Sequence, residues 1–484
     1  MASANEICRM DAVGLAARIR RRELSPVEVI EAALARMERL EPALHAFCTP
    51  TPELARAEAR RIEAEIGAGR PLGPLAGVPV SIKDLILTKG IRTVFGSAAY
   101  EHFVPEEDDV AVERLRAAGA IILGKTNVPE FGYSGTGHNP VFETTRNPWN
   151  LAMTPGGSSA GAAAAVATGV GPLAIGSDGG GSVRIPASFC GLFGFKPSFG
   201  RIPLYPGARD ERYPGVSGWE SVECYGPITR TVADGALMAS VIAGPDMRDR
   251  HSLPAADFDW MEAIKGDLTG KRVAYSRDWG YAAVDAEVLR VVDQAVAVFE
   301  RELGCIVEPA DPGWQDPAAA FAALIMADSD LVGMRRMAEQ CRGRMSPHLA
   351  DWLRVPWSAE DFTNANLARK AVVNRMWRLM TRYDLLVTPT LCAPPFPILM
   401  QGPEKIAGRS VPPTAWIAMT FPINLTGQPA ASVPAGFTRD GLPVGLQIIG
   451  RHLDDPMVLR ASGCFEAARP WRDHWPAIVT ELGL

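Results

Sequence analysis

From Ala160 to Gly176 the chain carries almost nothing polar. The stretch is rich in Ala and Gly, contains Pro172, and is shorter than the 20 or so strongly apolar residues that a membrane span needs. It therefore belongs inside a protein core. Ser158 to Thr168, which overlaps its start, reads as an alanine-packed helix, and Leu173-Ala174-Ile175 reads as a buried strand after a Gly/Pro break. Similar β-type runs recur at Val78 to Ile82, Ala120 to Leu123, Arg272 to Tyr275, Cys305 to Val307, Asp384 to Thr388, Ala431 to Val433 and Val444 to Ile449. Helical segments alternate with them. Ser25-Pro26-Val27-Glu28 is a capping box with proline at the first helical position, ahead of Ile30, Ala33, Leu34, Met37 and Leu40 at helical spacing. Pro52 to Gly67 and Val110 to Ala118 are two further helices. Alternating strands and helices predict an α/β fold with a substantially parallel sheet.

At 484 residues the chain has room for about three domains of ordinary size. No fixed-period repeat or low-complexity linker divides it, so one large domain is expected. The segments Phe199 to Cys224 and Trp314 to Trp357 are rich in Pro, Trp and Arg, and are expected to be irregular loops around a substrate pocket. The 49 Lys and Arg against 55 Asp and Glu leave a net charge of -6, which offers no footprint for nucleic acid or an anionic membrane. The eight cysteines stand singly with no CxxC, and the start of the chain lacks a signal-peptide pattern, so reduced thiols in the cytoplasm are expected. Seven scattered histidines form no HxxxH pair, and no metal or organic cofactor is expected.

Chemistry concentrates in two glycine/serine segments. One is Thr154-Pro155-Gly156-Gly157-Ser158-Ser159-Ala160-Gly161; the other runs from Ser177-Asp178 through Gly179-Gly180-Gly181-Ser182 to Val183-Arg184-Ile185-Pro186. Neither fits a phosphate-binding motif, and Asp178 would repel a phosphate. Successive amides from Gly179, Gly180, Gly181 and Ser182 suit an oxyanion hole better. A serine nucleophile needs a base, yet no histidine falls between His138 and His251. A lysine serves if burial leaves it neutral, and Lys83, carried inward by the apolar run Val78 to Ile82, is the candidate.

Three segments, Gly77-Val78-Pro79-Val80-Ser81-Ile82-Lys83-Asp84, Gly156-Gly157-Ser158-Ser159 and Ser177 to Pro186, closely resemble the hallmarks of the amidase signature family in order and spacing. Gly124 to Phe131, Asn147 to Asn150, Gly194 to Pro197, Gly226 to Arg230, Asn424 to Gly427 and Gly441 to Gly445 extend the likeness over nearly the whole chain. The resemblance implies a single large α/β domain with a mixed, mostly parallel central sheet flanked by helices. Within it, 1–70 would be an N-terminal helical segment, 77–235 the catalytic core, and 240–400 a more variable region shaping the pocket.

Residue by residue, the resemblance implies a Ser-cisSer-Lys triad. Ser182 would be the acylated nucleophile, Ser158 the relay after a cis Gly157–Ser158 peptide, and Lys83 the base. Gly179, Gly180 and Gly181 would supply the oxyanion hole. Ser159, Asp178 and Arg184 would hold the loops, and Gly132, Tyr133 and Ser134 would line the substrate pocket, with small Gly132 leaving room for a bulky group. The expected activity is hydrolysis of a small, apolar or aromatic amide, with aryl esters and carbamates as related substrates, by a monomer or homodimer without nucleic-acid or membrane partners. Two departures stand out: Ala160 where many members have Gly, and Gly179 where many have Thr or Ile.

Two enzymatic rivals remain. Gly157-Ser158-Ser159-Ala160-Gly161 also fits GxSxG, the nucleophile elbow of α/β-hydrolases, with Ser159 attacking, but Pro155 spoils the strand this motif requires. The glutaminase subunit of an aminoacyl-tRNA amidotransferase typically carries Gln after the Ile-Arg of the nucleophile loop. Here Ile185 stands there. A binding protein that merely kept the fold is disfavoured because all three triad positions are filled.

Overall fold

The computed structural model describes residues 2–341 and 343–484. Its strands are β1 (Phe47–Pro50), β2 (Pro79–Lys83), β3 (Ile121–Thr126), β4 (Leu173–Asp178), β5 (Phe193–Lys196), β6 (Cys224–Thr229), β7 (Arg272–Tyr275), β8 (Ile306–Pro309), β9 (Leu385–Pro389), β10 (Lys405–Ile406), β11 (Arg409–Ser410), β12 (Ala430–Phe437) and β13 (Pro443–Gly450). Eleven of them form one sheet in the order β1-β3-β2-β4-β6-β5-β12-β13-β9-β7-β8, while β10 and β11 pair separately. The expectation of a mixed sheet flanked by helices is met, with four parallel and six antiparallel strand pairings where a mostly parallel sheet was expected. Its parallel pairs, β3–β2–β4 and β9–β7–β8, lie to either side of an antiparallel centre. Antiparallel pairing of β4–β6, β6–β5, β5–β12, β12–β13 and β13–β9 fills that centre, and β1 adds an antiparallel edge on β3. Only residues 438–442 join β12 to β13, too few for the crossover a parallel pair requires.

Alternation along β4 sorts the layers. Leu173 and Ile175 pack with Met238 and Ile242 of helix Val232–Ile242 and with the N-terminal helix Ala12–Arg20. Ala174 turns to the other face, against Ala162, Ala163 and Val166 of helix Ala160–Ala167. That helix is buried throughout. Its small side chains permit close approach: a Cβ on Gly161 would lie 2.0 Å from the Ala46 carbonyl oxygen. Ser158 and Ser159 precede its first turn instead of lying within it. The N-terminal capping box is present, with Ser25 capping helix Pro26–Leu44.

The segment Trp314 to Trp357 departs from the irregular reading. It folds into helices Ala318–Asp328, Leu331–Gln340 and Pro347–Arg354. Pro317 and Pro347 sit at helix starts, where proline needs no donor partner, so they open helices instead of breaking them. Phe199 to Cys224 does lack long elements, with only the short turns Gly207–Arg209 and Ser217–Trp219.

Candidate active site

The C-terminal ends of β2 and β4 converge with the starts of helices Ala160–Ala167 and Arg184–Cys190. Val80 and Ile82 pack with Leu173 and Ile175, so alternation directs Lys83, the last residue of β2, to the face that carries helix Ala160–Ala167. The Lys83 side chain is fully buried. Its Nζ lies 2.7 Å from Ser158 Oγ, 2.9 Å from Ser177 Oγ and 3.1 Å from the Ser177 carbonyl oxygen. Burial pulls the amine down from 10.5 to about 7, against the opposing charges of Glu223 and Asp178. An amine poised there accepts and returns a proton near neutral pH.

Ser158 follows a cis Gly157–Ser158 peptide. Its loop meets the Ser182 loop where the Ser159 N–H donates to the Ser182 carbonyl at 3.3 Å. Among the described residues no hydrogen bond joins the Ser158 and Ser182 hydroxyls; the bonded pair is Ser158 with Lys83. Ser182 lines a cavity of about 390 Å³ together with Gly132, Tyr133, Ser134, Gly180 and Ile185. A second hollow of about 520 Å³ lies between helices Ala318–Asp328 and Ala359–Met380 and contains none of the expected site residues.

Asp178 and Arg184 clamp the Ser182 loop from below. Arg184 Nη2 and Nε donate to the two Asp178 oxygens at 2.9 and 3.0 Å, and Arg184 reaches on to Gln447, Asn424 and the Thr420 carbonyl. Burial alone would raise the Asp178 carboxyl, but the Arg184 charge and hydrogen bonds outweigh it and hold the group well below the usual carboxylate range.

This clamp corrects one expectation. The Gly181 N–H donates to Asp178 Oδ1 at 2.8 Å, so it is engaged inward and is not free for an oxyanion. The Val183 N–H is likewise taken, at 3.2 Å by Asp178 Oδ2. A carboxylate three residues before Gly181 captures its amide by a local turn. The amides of Gly179, Gly180 and Ser182 remain.

Ser159 keeps to a supporting place, and one reading, that of Gly132, changes. Ser159 is fully buried and does not line the cavity. Its Oγ points back to the Ser177 carbonyl at 3.4 Å, and no strand directly precedes it, only the isolated bridges Asn147–Asn150 and Met153–Pro397. The nucleophile-elbow alternative therefore lacks its geometry. Gly132 has φ +79°, and a Cβ there would lie 2.9 Å from Leu85 Cδ1 and 3.3 Å from Ser158 Oγ. The missing side chain lets the backbone approach Ser158; it does not simply empty the pocket.

Several neighbours escaped the sequence reading. Ser177 opens the second glycine/serine segment, but only the fold turns its hydroxyl to Lys83. Glu223, one residue before β6, is buried near the same lysine; burial raises its carboxyl, with the Ser177 hydroxyl and Lys83 opposing. Trp416 and Gln401 line the cavity from a stretch that carries no motif, whereas Trp219 and Phe321 line it from the two segments expected around a pocket. Asn424 begins the Asn424 to Gly427 motif, yet its Nδ2 donation to the Asp178 carbonyl at 2.7 Å spans 246 positions.

A family model described as Amidase matches residues 28–459. The chain belongs to the amidase signature family. This amidase is 41% identical over 482 residues to an acylamidase of Rhodococcus erythropolis, with 97% of each chain covered. It is 35% identical to a glutamyl-tRNA(Gln) amidotransferase subunit of Geobacter metallireducens, over 94% of this chain and 96% of that protein. Among solved structures, a bacterial aryl acylamidase of the amidase signature enzymes superposes with a TM-score of 0.88 at 33% identity, covering 99% of this chain and 98% of the other. A 6-aminohexanoate cyclic dimer hydrolase follows the same fold, with a TM-score of 0.85 at 28% identity over 98% and 99%. The amidase is thus a hydrolase of carbon–nitrogen amide bonds. No helix among its described residues is long and apolar enough to cross a membrane.

Proposed function

We propose that this amidase hydrolyses small amides with an apolar or aromatic group through an acyl-enzyme on Ser182. The observation that carries the reading is the buried Lys83 Nζ, 2.7 Å from Ser158 Oγ, behind the cavity wall that includes Ser182. Ser182 attacks the amide carbonyl as its proton passes through Ser158 to neutral Lys83. The tetrahedral oxyanion rests on the amides of Gly179, Gly180 and Ser182, preorganised by the Asp178–Arg184 clamp. The amine takes the proton back along the same path and leaves, and water then hydrolyses the ester by the reverse relay. The aromatic cavity and Ile185 in its wall support an apolar substrate over glutamine. The free cysteines suit a reducing cytoplasm.

The test pairs chemistry with labelling. A serine-directed fluorophosphonate is expected to add its mass to the peptide holding Asp178 to Arg184, and matched amides, esters and carbamates are screened against Ser182→Ala as the blank. Labelling at Ser159, or turnover that survives Ser182→Ala, refutes the reading.

A further inference from the structure

The two glycines that start the Ser182 loop are filled from outside by aromatic rings. A Cβ on Gly179 would stand 2.6 Å from Trp219 Cε3, and one on Gly180 would stand 2.8 Å from Phe321 Cζ. Both rings are therefore pressed onto the loop backbone, three and two positions before Ser182, and both line its cavity. Neither ring is loose. Trp219 lies 4.7 Å from the Tyr133 ring, whose hydroxyl is hydrogen-bonded to Ser329 Oγ at 2.7 Å. Phe321 stacks on Phe421 at 4.9 Å with 26° between the planes. Gly218, beside Trp219, is held to glycine as well, since its Cβ would stand 2.3 Å from Tyr133 Oη.

We infer that Trp219 and Phe321 are specificity-determining residues: they form a fixed aromatic wall beside Ser182 that selects a flat aryl group next to the scissile bond over a saturated group of equal bulk. The inference rests on the proposed amide hydrolysis at Ser182 and deepens it to a substrate class. Flat rings gain from offset or edge contact with other aromatic faces, whereas a puckered ring of the same volume loses that contact. Size permits it: a cavity on the order of 150 Å³ holds benzene, so about 390 Å³ takes a ring, its substituents and the amide.

The test uses two substrate pairs, one for each side of the bond, with a methylene spacer that matches their intrinsic reactivity: phenylacetyl against cyclohexylacetyl 4-nitroanilide, and N-benzyl against N-cyclohexylmethyl acetamide. Phenylmethanesulfonyl fluoride and its cyclohexyl analogue supply the same comparison as labelling rates at Ser182. The native protein is expected to favour the aryl member about tenfold in kcat/KM in one pair, and in labelling. Trp219→Ala and Phe321→Leu should each bring that ratio within about threefold of parity, while Trp219→Phe, which keeps a ring in place, retains most of it. Equal rates for aryl and saturated members in the native protein, or a ratio unchanged in both Trp219→Ala and Phe321→Leu, overturn the inference while leaving Ser182 chemistry standing. Absence of labelling at Ser182 by either sulfonyl fluoride, with no turnover of any amide, instead removes the reading beneath it.

Discussion

Lys83 must be neutral to accept a proton, and its buried amine sits at about 7 in place of 10.5. At the unperturbed value only about 3 in 10,000 lysines would be neutral at pH 7, against about half here. The difference corresponds to roughly 5 kcal/mol of extra cost for the ammonium form, at about 1.4 kcal/mol for each factor of ten. The prediction is a kcat/KM that rises tenfold per pH unit below about 7 and levels off above it. The neutral fraction is about one tenth at pH 6 and about nine tenths at pH 8. Glu223 and Asp178 are the carboxyls that oppose the shift. Asp178 is tied to Arg184, so Glu223 is the one to change. Glu223→Gln removes a negative charge that favours the ammonium, the Lys83 amine falls further, and the acid limb moves to lower pH. Initial rates with a chromogenic anilide between pH 5 and 9.5 measure both limbs, with the unchanged far-ultraviolet spectrum checking the fold. A profile flat from pH 6 to 8, a limb near pH 10, or an upward shift in Glu223→Gln would refute the argument.

Lys83→Ala should lose about 10²–10⁴-fold in amide kcat/KM and less in that of a nitrophenyl ester of similar shape, because nitrophenolate leaves without a proton; equal losses would make Lys83 a structural residue. Lys83→Arg should rescue neither reaction, since guanidinium does not deprotonate in this range. Asp178→Asn leaves Arg184 charged and fully buried without its partner, so denaturant midpoints should report a loss of about 3–5 kcal/mol, together with lost activity. Gly157→Ala places a Cβ 2.3 Å from the Thr136 carbonyl oxygen, against backbone that cannot swing away, so soluble yield and thermal midpoint should both drop sharply. Activity should survive dialysis against EDTA, because backbone amides polarise the carbonyl in the proposed mechanism; loss restored by zinc would count against it.

What the sequence determined by itself was local or carried by motif. The burial of Ala160 to Gly176, the capped helix at Ser25 and the strand leading to Lys83 follow from side-chain periodicity and turn chemistry, which act over a few residues. The three hallmark segments brought the family and its expected triad with them. Tertiary structure decided what depends on which atoms meet. It spent the Gly181 amide on Asp178, turned Ser159 away from the cavity, and set Gly132 against Ser158 for closeness. It joined Arg184 to Asn424 and Gln447 across 240 and 263 positions, and laid Trp219 and Phe321 on Gly179 and Gly180. The physical reason is the range of the forces: a strand's alternation is written in neighbouring side chains, while a hydrogen bond or ring contact is decided by whichever distant residue the packed chain brings within about 3 or 4 Å.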